Sequence, residues 1–194
     1  MGFYSERHAV AFVHVEKNAG SSIVHSLAKH LDVKHTKQFG FIGPLKGLGG
    51  LTVRDYEFHF GRRWLEAKFY FGLSRDPVNH LLSWYYYDPG NVSCFTEWLK
   101  LHVEHPFDQY LYFTWCDGSL SNARIFRFEE IESMWSSVQT ELNFRGQLLH
   151  INKGINKELR KVSNEELYAN MPLILERYEK DYKMFGYAFP ACVS

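Results

Sequence analysis

Apolar positions fall into two kinds of pattern along this chain. Short, nearly continuous runs at Ala9 to Val15, Tyr56 to Phe60, Lys68 to Ser74, Arg124 to Phe128 and Leu148 to Ile151 mostly lack strict alternation, which predicts strands buried on both faces. Between these runs the spacing changes to three and four. Ile23, Leu27 and Leu31 form one such series, and Val78, Leu81, Leu82 and Tyr85 form another, each laying an apolar stripe along a helix. Further helices are expected around Phe95, Trp98 and Leu99 and around Ile131, Met134, Trp135 and Val138. Ser163 and Glu166 have the spacing of a capping box, and Pro172 fits the first turn of a last helix that ends near Phe185, with Gly186 as its stop. From Phe39 to Leu51, several glycines and Pro44 break all periodicity, which reads as a mobile loop. Strands alternating with helices predict an α/β fold with a central, mostly parallel sheet flanked by helices, in a single domain over residues 1–194. Ligands of such sheets sit at the carboxyl ends of the strands.

Composition narrows the function classes. The chain is 45% hydrophobic and 23% charged, so disorder and coiled coil are disfavoured. Lys+Arg number 22 against Asp+Glu 22, which excludes a protein that holds nucleic acid or an anionic membrane by bulk attraction and leaves room for a local anion pocket. The three cysteines, Cys94, Cys116 and Cys192, are too few and too widely spaced for a zinc knuckle or a disulfide framework, so a reducing compartment is the simpler reading. Met1 to Arg7 is polar, and the apolar run after it is too short for a membrane helix. These features are read as a soluble, cytoplasmic chain with no membrane segment. The alternative is a lumenal domain cut from its anchor, in which Asn91-Val92-Ser93 would be a glycosylation sequon.

Candidate chemistry lies at the end of the first strand. There Glu16-Lys17-Asn18-Ala19-Gly20-Ser21-Ser22 leads directly into the helix of Ile23. Backbone N–H groups in a small-residue loop, with the positive end of a helix dipole behind them, favour phosphate or sulfate, and Lys17 adds a full charge. The loop is not a Walker A motif, which needs Gly-Lys-Ser/Thr at the helix start; here the lysine precedes the serines. A second motif follows the third strand, where Arg75-Asp76-Pro77 precedes a helix carrying Ser83. An arginine fork and a hydroxyl at that spacing would suit a second anion. The alternative is that Arg75 pairs locally with Asp76 or caps a carbonyl, and that Ser83 is only a small helix residue. Glu16 is open to three roles: acid/base group, partner of Lys17, or exposed carboxylate. His14, inside an expected central strand, reads as a core residue bonded to backbone.

At these residues the chain resembles a known family. Phe12 to Ser22 is similar to the 5′-phosphosulfate loop of sulfotransferases, and Arg75-Asp76-Pro77 with Ser83 resembles their 3′-phosphate motif. The nearest likeness is to carbohydrate sulfotransferases of the heparan sulfate 2-O-sulfotransferase type. It extends to Leu82-Ser83-Trp84-Tyr85-Tyr86-Tyr87, to Arg127-Phe128-Glu129-Glu130-Ile131 and to the segment from Tyr178 to Tyr187. The resemblance implies a P-loop-like three-layer fold that binds 3′-phosphoadenosine 5′-phosphosulfate (PAPS) and releases the bisphosphate PAP. Lys17, Asn18, Ala19, Gly20, Ser21, Ser22, Arg75 and Ser83 would hold the nucleotide, and no metal is implied. A sulfuryl group carries less charge than a phosphoryl group, so Lys17 and loop amides would stabilise its transfer.

The family often places a histidine between its two nucleotide motifs. Tyr56-Glu57-Phe58-His59-Phe60-Gly61 stands there, which makes His59 the expected general base for the acceptor hydroxyl; the alternative is a satisfied strand histidine. Lys153, in His150-Ile151-Asn152-Lys153-Gly154, resembles a late basic loop that covers the nucleotide, or is a surface turn. The expected function is therefore transfer of a sulfuryl group to a hydroxyl, on a carbohydrate. In the lumenal alternative this would be a Golgi catalytic domain. A small-molecule kinase using ATP and a non-catalytic nucleotide-binding module are the competing readings.

Overall fold

The structure is a computed structural model that describes residues 3–31, 51–102, 108–151 and 161–190. The expected loop at 39–51 lies, except for Leu51, outside the described residues, as do Lys153 and Cys192. The chain gathers into two compact units: one runs to Arg75 and resumes at Gln109, and the other holds Asp76–Asp108 and the C-terminal part.

The first unit is α/β. Its sheet has four strands in the order β1 (Phe3–Ser5), β2 (Val10–Val13), β3 (Phe69–Ser74) and β4 (Arg124–Arg127). β2, β3 and β4 are parallel, with Phe12 opposite Phe71 and Leu73 opposite Phe126. β1, unforeseen from the sequence, adds an antiparallel edge through a short hairpin that has Ala9 at φ 46°. Helix α1 (Gly20–His30) buries Ile23 and Leu27 against Phe12, Phe71 and Leu73, and α6 (Ile131–Glu141) adds Met134, Trp135 and Val138 to the same core. On the other face a 3₁₀ turn, Gln109–Phe113, lays Phe113 over Gly72, where a Cβ would meet the ring at 2.6 Å and the Val13 carbonyl at 2.8 Å.

Two expected strands are not strands. Tyr56 to Phe60 lies in α2 (Val53–Phe60), which starts with a full capping box between Thr52 and Asp55. Val53, Tyr56 and Phe60 already have helical spacing, and the cap settles the choice. The Tyr56 hydroxyl lies 2.9 Å from the Phe3 carbonyl and 3.0 Å from that of Phe12, which ties α2 to the β1–β2 pair. A further short helix, α3 (Arg62–Glu66), leads to β3. Leu148 to Ile151 is extended but outside the sheet. The Leu149 N–H donates to Ser26 Oγ at 2.8 Å and the Ile151 N–H to Ser22 Oγ at 3.0 Å. Alternate amides of an extended segment thus meet serines one helical turn apart on α1, in place of a strand neighbour.

The second unit is helical. α4 (Pro77–Tyr87) and α5 (Phe95–His102) pack with α7 (Asn164–Arg177) and α8 (Glu179–Phe185) around Leu81, Tyr85, Phe95, Trp98, Ile174 and Tyr182. Ser163 caps α7 by accepting from the Glu166 N–H, but the Glu166 carboxylate accepts from Thr96 N–H and Oγ1 rather than closing the box. The last helix therefore does not begin at Pro172, which sits inside α7; the break falls at Tyr178, and Gly186 ends α8 at φ 65° as expected. Arg177 grips the buried Asp108 carboxylate with two bonds of 2.7 Å.

Candidate functional site

The expected anion loop stands at the carboxyl end of β2. Lys17 and Ala19 both take left-handed backbone conformations, φ 65° and φ 58°, which cost side-chain-bearing residues free energy and cluster at functional sites. Ala19 is the N-cap of α1, has no side-chain oxygen to accept from the first turn, and is followed by no acidic residue there. The first-turn amides and the helix dipole thus present donors and positive potential at this end of the sheet.

Two cations stand together here. Arg75, one residue beyond β3, donates from Nη1 to the Lys17 carbonyl at 3.1 Å, and its guanidinium lies 4.4 Å over the Phe128 ring. Burial, with the Arg75 charge adding to it and Glu16 opposing it, brings the Lys17 ammonium down to about 8. Glu16 also faces Tyr112, whose hydroxyl is pushed up mainly by burial and further by Glu16 and Asp55.

Several side chains of the loop have supporting roles. Asn18 is a brace: its buried Nδ2 donates to the Leu73 carbonyl at 2.9 Å and to Gln109 Oε1 at 2.8 Å, so it joins the loop to β3. Gly20 is needed for packing, because a Cβ there would overlap the His14 imidazole. His14 is buried and stacks on Phe12, as expected of a core residue, but it follows β2 rather than lying in it, and the bond to the Leu51 carbonyl comes from its backbone N–H. The Ser22 hydroxyl accepts from the Ile151 N–H, so this side chain is engaged with the segment 148–151. The Ser21 carbonyl accepts from or faces His25 Nδ1 at 2.7 Å.

Lys17, Asn18, Ala19, Gly20 and Arg75 are brought together by the sheet, as the sequence suggested. Ser83 lies on α4 in the second unit. His59 lies in the last turn of α2 rather than in a strand. α2 begins beside His14 and ends beside Tyr4, where the Phe60 and Tyr4 rings are 5.2 Å apart, so His59 stands about 10 Å along the helix axis from its loop end. The His59 ring makes edge contacts with Phe58 and Phe60.

Sequence reasoning missed Gln109 and Phe128 as parts of this site. No spacing relates Gln109 to Arg75, whereas Phe128 lay inside a segment already singled out for its family likeness. Comparison with protein-family models, with curated proteins and with solved structures finds no match. Among the described residues, no group of three or more His, Cys, Asp or Glu side chains is placed to hold a metal ion, and no helix is long and apolar enough to cross a membrane.

Proposed function

We propose that the first unit binds the nucleotide PAPS, which is anionic at both its 3′ and its 5′ end, through the Lys17–Ser22 loop and Arg75 and that the protein transfers its sulfuryl group to a hydroxyl, on a carbohydrate acceptor. The observation that carries this reading is the half-buried Lys17 beside Arg75 at the uncapped start of α1: two like charges, with Glu16 acting on Lys17 from the same loop, converge where first-turn amides favour an anion. Every donor in the set suits phosphate or sulfate oxygens, and Phe128 under Arg75 keeps the guanidinium plane oriented. When bound, PAPS supplies an activated sulfuryl group with a bisphosphate leaving group. Lys17 and the loop amides would stabilise charge on the leaving oxygen, and Arg75 would bind the 3′-phosphate. A P-loop-like three-layer arrangement of the sheet belongs to the same reading.

The test is calorimetric binding of 3′,5′-adenosine bisphosphate beside ADP and AMP, with and without magnesium. The expected result is metal-independent preference for the bisphosphate, reduced at least about tenfold in Arg75→Ala, the loss of a charge-assisted bond. Equal or magnesium-dependent binding of ADP would favour the kinase reading. Tight bisphosphate binding without transfer to any hydroxyl offered would leave a binding module. His59 is the base in this proposal, and it sits in the last turn of α2. His59→Ala is expected to remove turnover with bisphosphate affinity intact; retained turnover would take His59 out of the mechanism and leave the donor site standing.

A further inference from the structure

We infer that Gln109 is a positioning residue for Arg75, and that its side-chain amide sets the preference of the proposed nucleotide site for a 3′-phosphate; this rests on the reading of that site given above. The β3–β4 ladder ends at the pair Ser74 and Arg127. One residue further, the Gln109 side chain does for Arg75 what a neighbouring strand does inside the ladder. Its Oε1 accepts from the Arg75 N–H at 2.8 Å and its Nε2 donates to the Arg75 carbonyl at 2.7 Å. The same Oε1 accepts from Asn18 Nδ2 at 2.8 Å, and Asn18 Nδ2 also donates to the Leu73 carbonyl.

These bonds close a circuit. Arg75 Nη1 donates to the Lys17 carbonyl, Lys17 is joined to Asn18 by the chain, Asn18 reaches Gln109, and Gln109 holds Arg75 on both sides of its Cα. Neither amide can turn over. A flipped Asn18 would set its oxygen against the Leu73 carbonyl, and a flipped Gln109 would set its oxygen against the Arg75 carbonyl. Gln109 is 0% exposed and Asn18 1%, so neither can exchange these partners for bulk water.

The placement along the chain sharpens the role. The chain leaves the first unit after Arg75 and returns to it at Gln109, so the clamp ties together the two ends of the 76–108 excursion at the residue that faces the anion loop. Without it, the Arg75 backbone would lose both of the hydrogen bonds that Gln109 makes to its N–H and carbonyl. The guanidinium would then lose the fixed origin from which it reaches past Lys17, while the loop would lose one of the two acceptors of Asn18 and keep the other, the Leu73 carbonyl, together with its junction to α1. The clamp therefore acts more strongly on the second anion position, where it makes both of its backbone bonds, than on the first.

The measurement is the affinity ratio of 3′,5′-adenosine bisphosphate to 5′-AMP by calorimetry, on the full chain and on Gln109→Met. The expected result is a ratio lowered at least about tenfold, with 5′-AMP affinity within about twofold of the parent. Adding Gln109→Met to Arg75→Ala should lower the ratio no further, because both changes act through one guanidinium. Equal loss for both nucleotides would mark Gln109 as merely structural and overturn the inference. A parent ratio well above one that Gln109→Met leaves unchanged would overturn it while the proposed function stands. A parent ratio near one would overturn the nucleotide reading and this inference with it. Should Gln109→Met fail to fold, Gln109→Asn, which keeps the amide but withdraws it by one methylene, gives the same readout with the same expectations.

Discussion

At the residue scale, Lys17 joins the structure to a measurable pH response. Its ordinary value is 10.5, and burial, more than the neighbouring Arg75, brings it to about 8 in the folded chain. The unfolded chain therefore binds more protons than the folded one between about pH 8 and 10.5, and the Lys17 contribution to stability rises with pH across that window. Anion binding responds in the opposite sense. The charged ammonium is the binding form, so affinity for inorganic pyrophosphate should fall as pH rises through about 8, and Lys17→Met should flatten the profile over that range. A pyrophosphate profile that keeps its slope in Lys17→Met would assign the titration to another group. The residues around Lys17 were unequally legible. Its charge and its place before a helix could be read directly, whereas the bracing role of Asn18 and the packing role of Gly20 depend on Leu73, Gln109 and His14, which the fold brings in from elsewhere.

At the element scale, α2 shows how a short cap outweighs a strand-like run. The Thr52 side chain accepts from the Asp55 N–H, and the Asp55 carboxylate accepts from both the Thr52 N–H and its hydroxyl. Thr52→Ala should lower stability by about 1 kcal/mol in a urea titration. Because the Leu51 carbonyl next to this cap receives the His14 N–H, fraying of α2 should also reduce amide protection at His14. The segment 148–151 makes the complementary point. Its composition suits a strand, but its partners are two serines of α1, a pairing for which sequence spacing carries no signal. Ser26, whose hydroxyl also donates to the Ser22 carbonyl, completes that seam.

At the scale of the whole molecule, the chain is divided where two adjacent residues serve different units. Asp108 is held by Arg177 within the second unit, and Gln109 by Arg75 and Asn18 within the first. Arg177→Met would leave a carboxylate that is only 5% exposed without its guanidinium. That change should cost about 3 kcal/mol and appear as lost hydrogen-exchange protection in α7 and α5. A shift below about 0.5 kcal/mol would place the Asp108–Arg177 pair among ion pairs of no consequence to stability.

The linear order of apolar runs and helical stripes was enough to determine a mostly parallel α/β sheet, the positions of α1, α4, α5 and α6, and a cationic small-residue loop where β2 meets α1. These are local features, and the period of side-chain placement writes them directly into the chain. Tertiary structure decided the rest. It set the antiparallel edge strand, the serine-bound segment 148–151, the division after Arg75, and the Gln109 amide that holds Arg75 to the loop. The segment 148–151 and the Gln109 clamp depend on hydrogen bonds between residues far apart in sequence, and a buried polar group takes whatever partner the fold brings within about 3 Å.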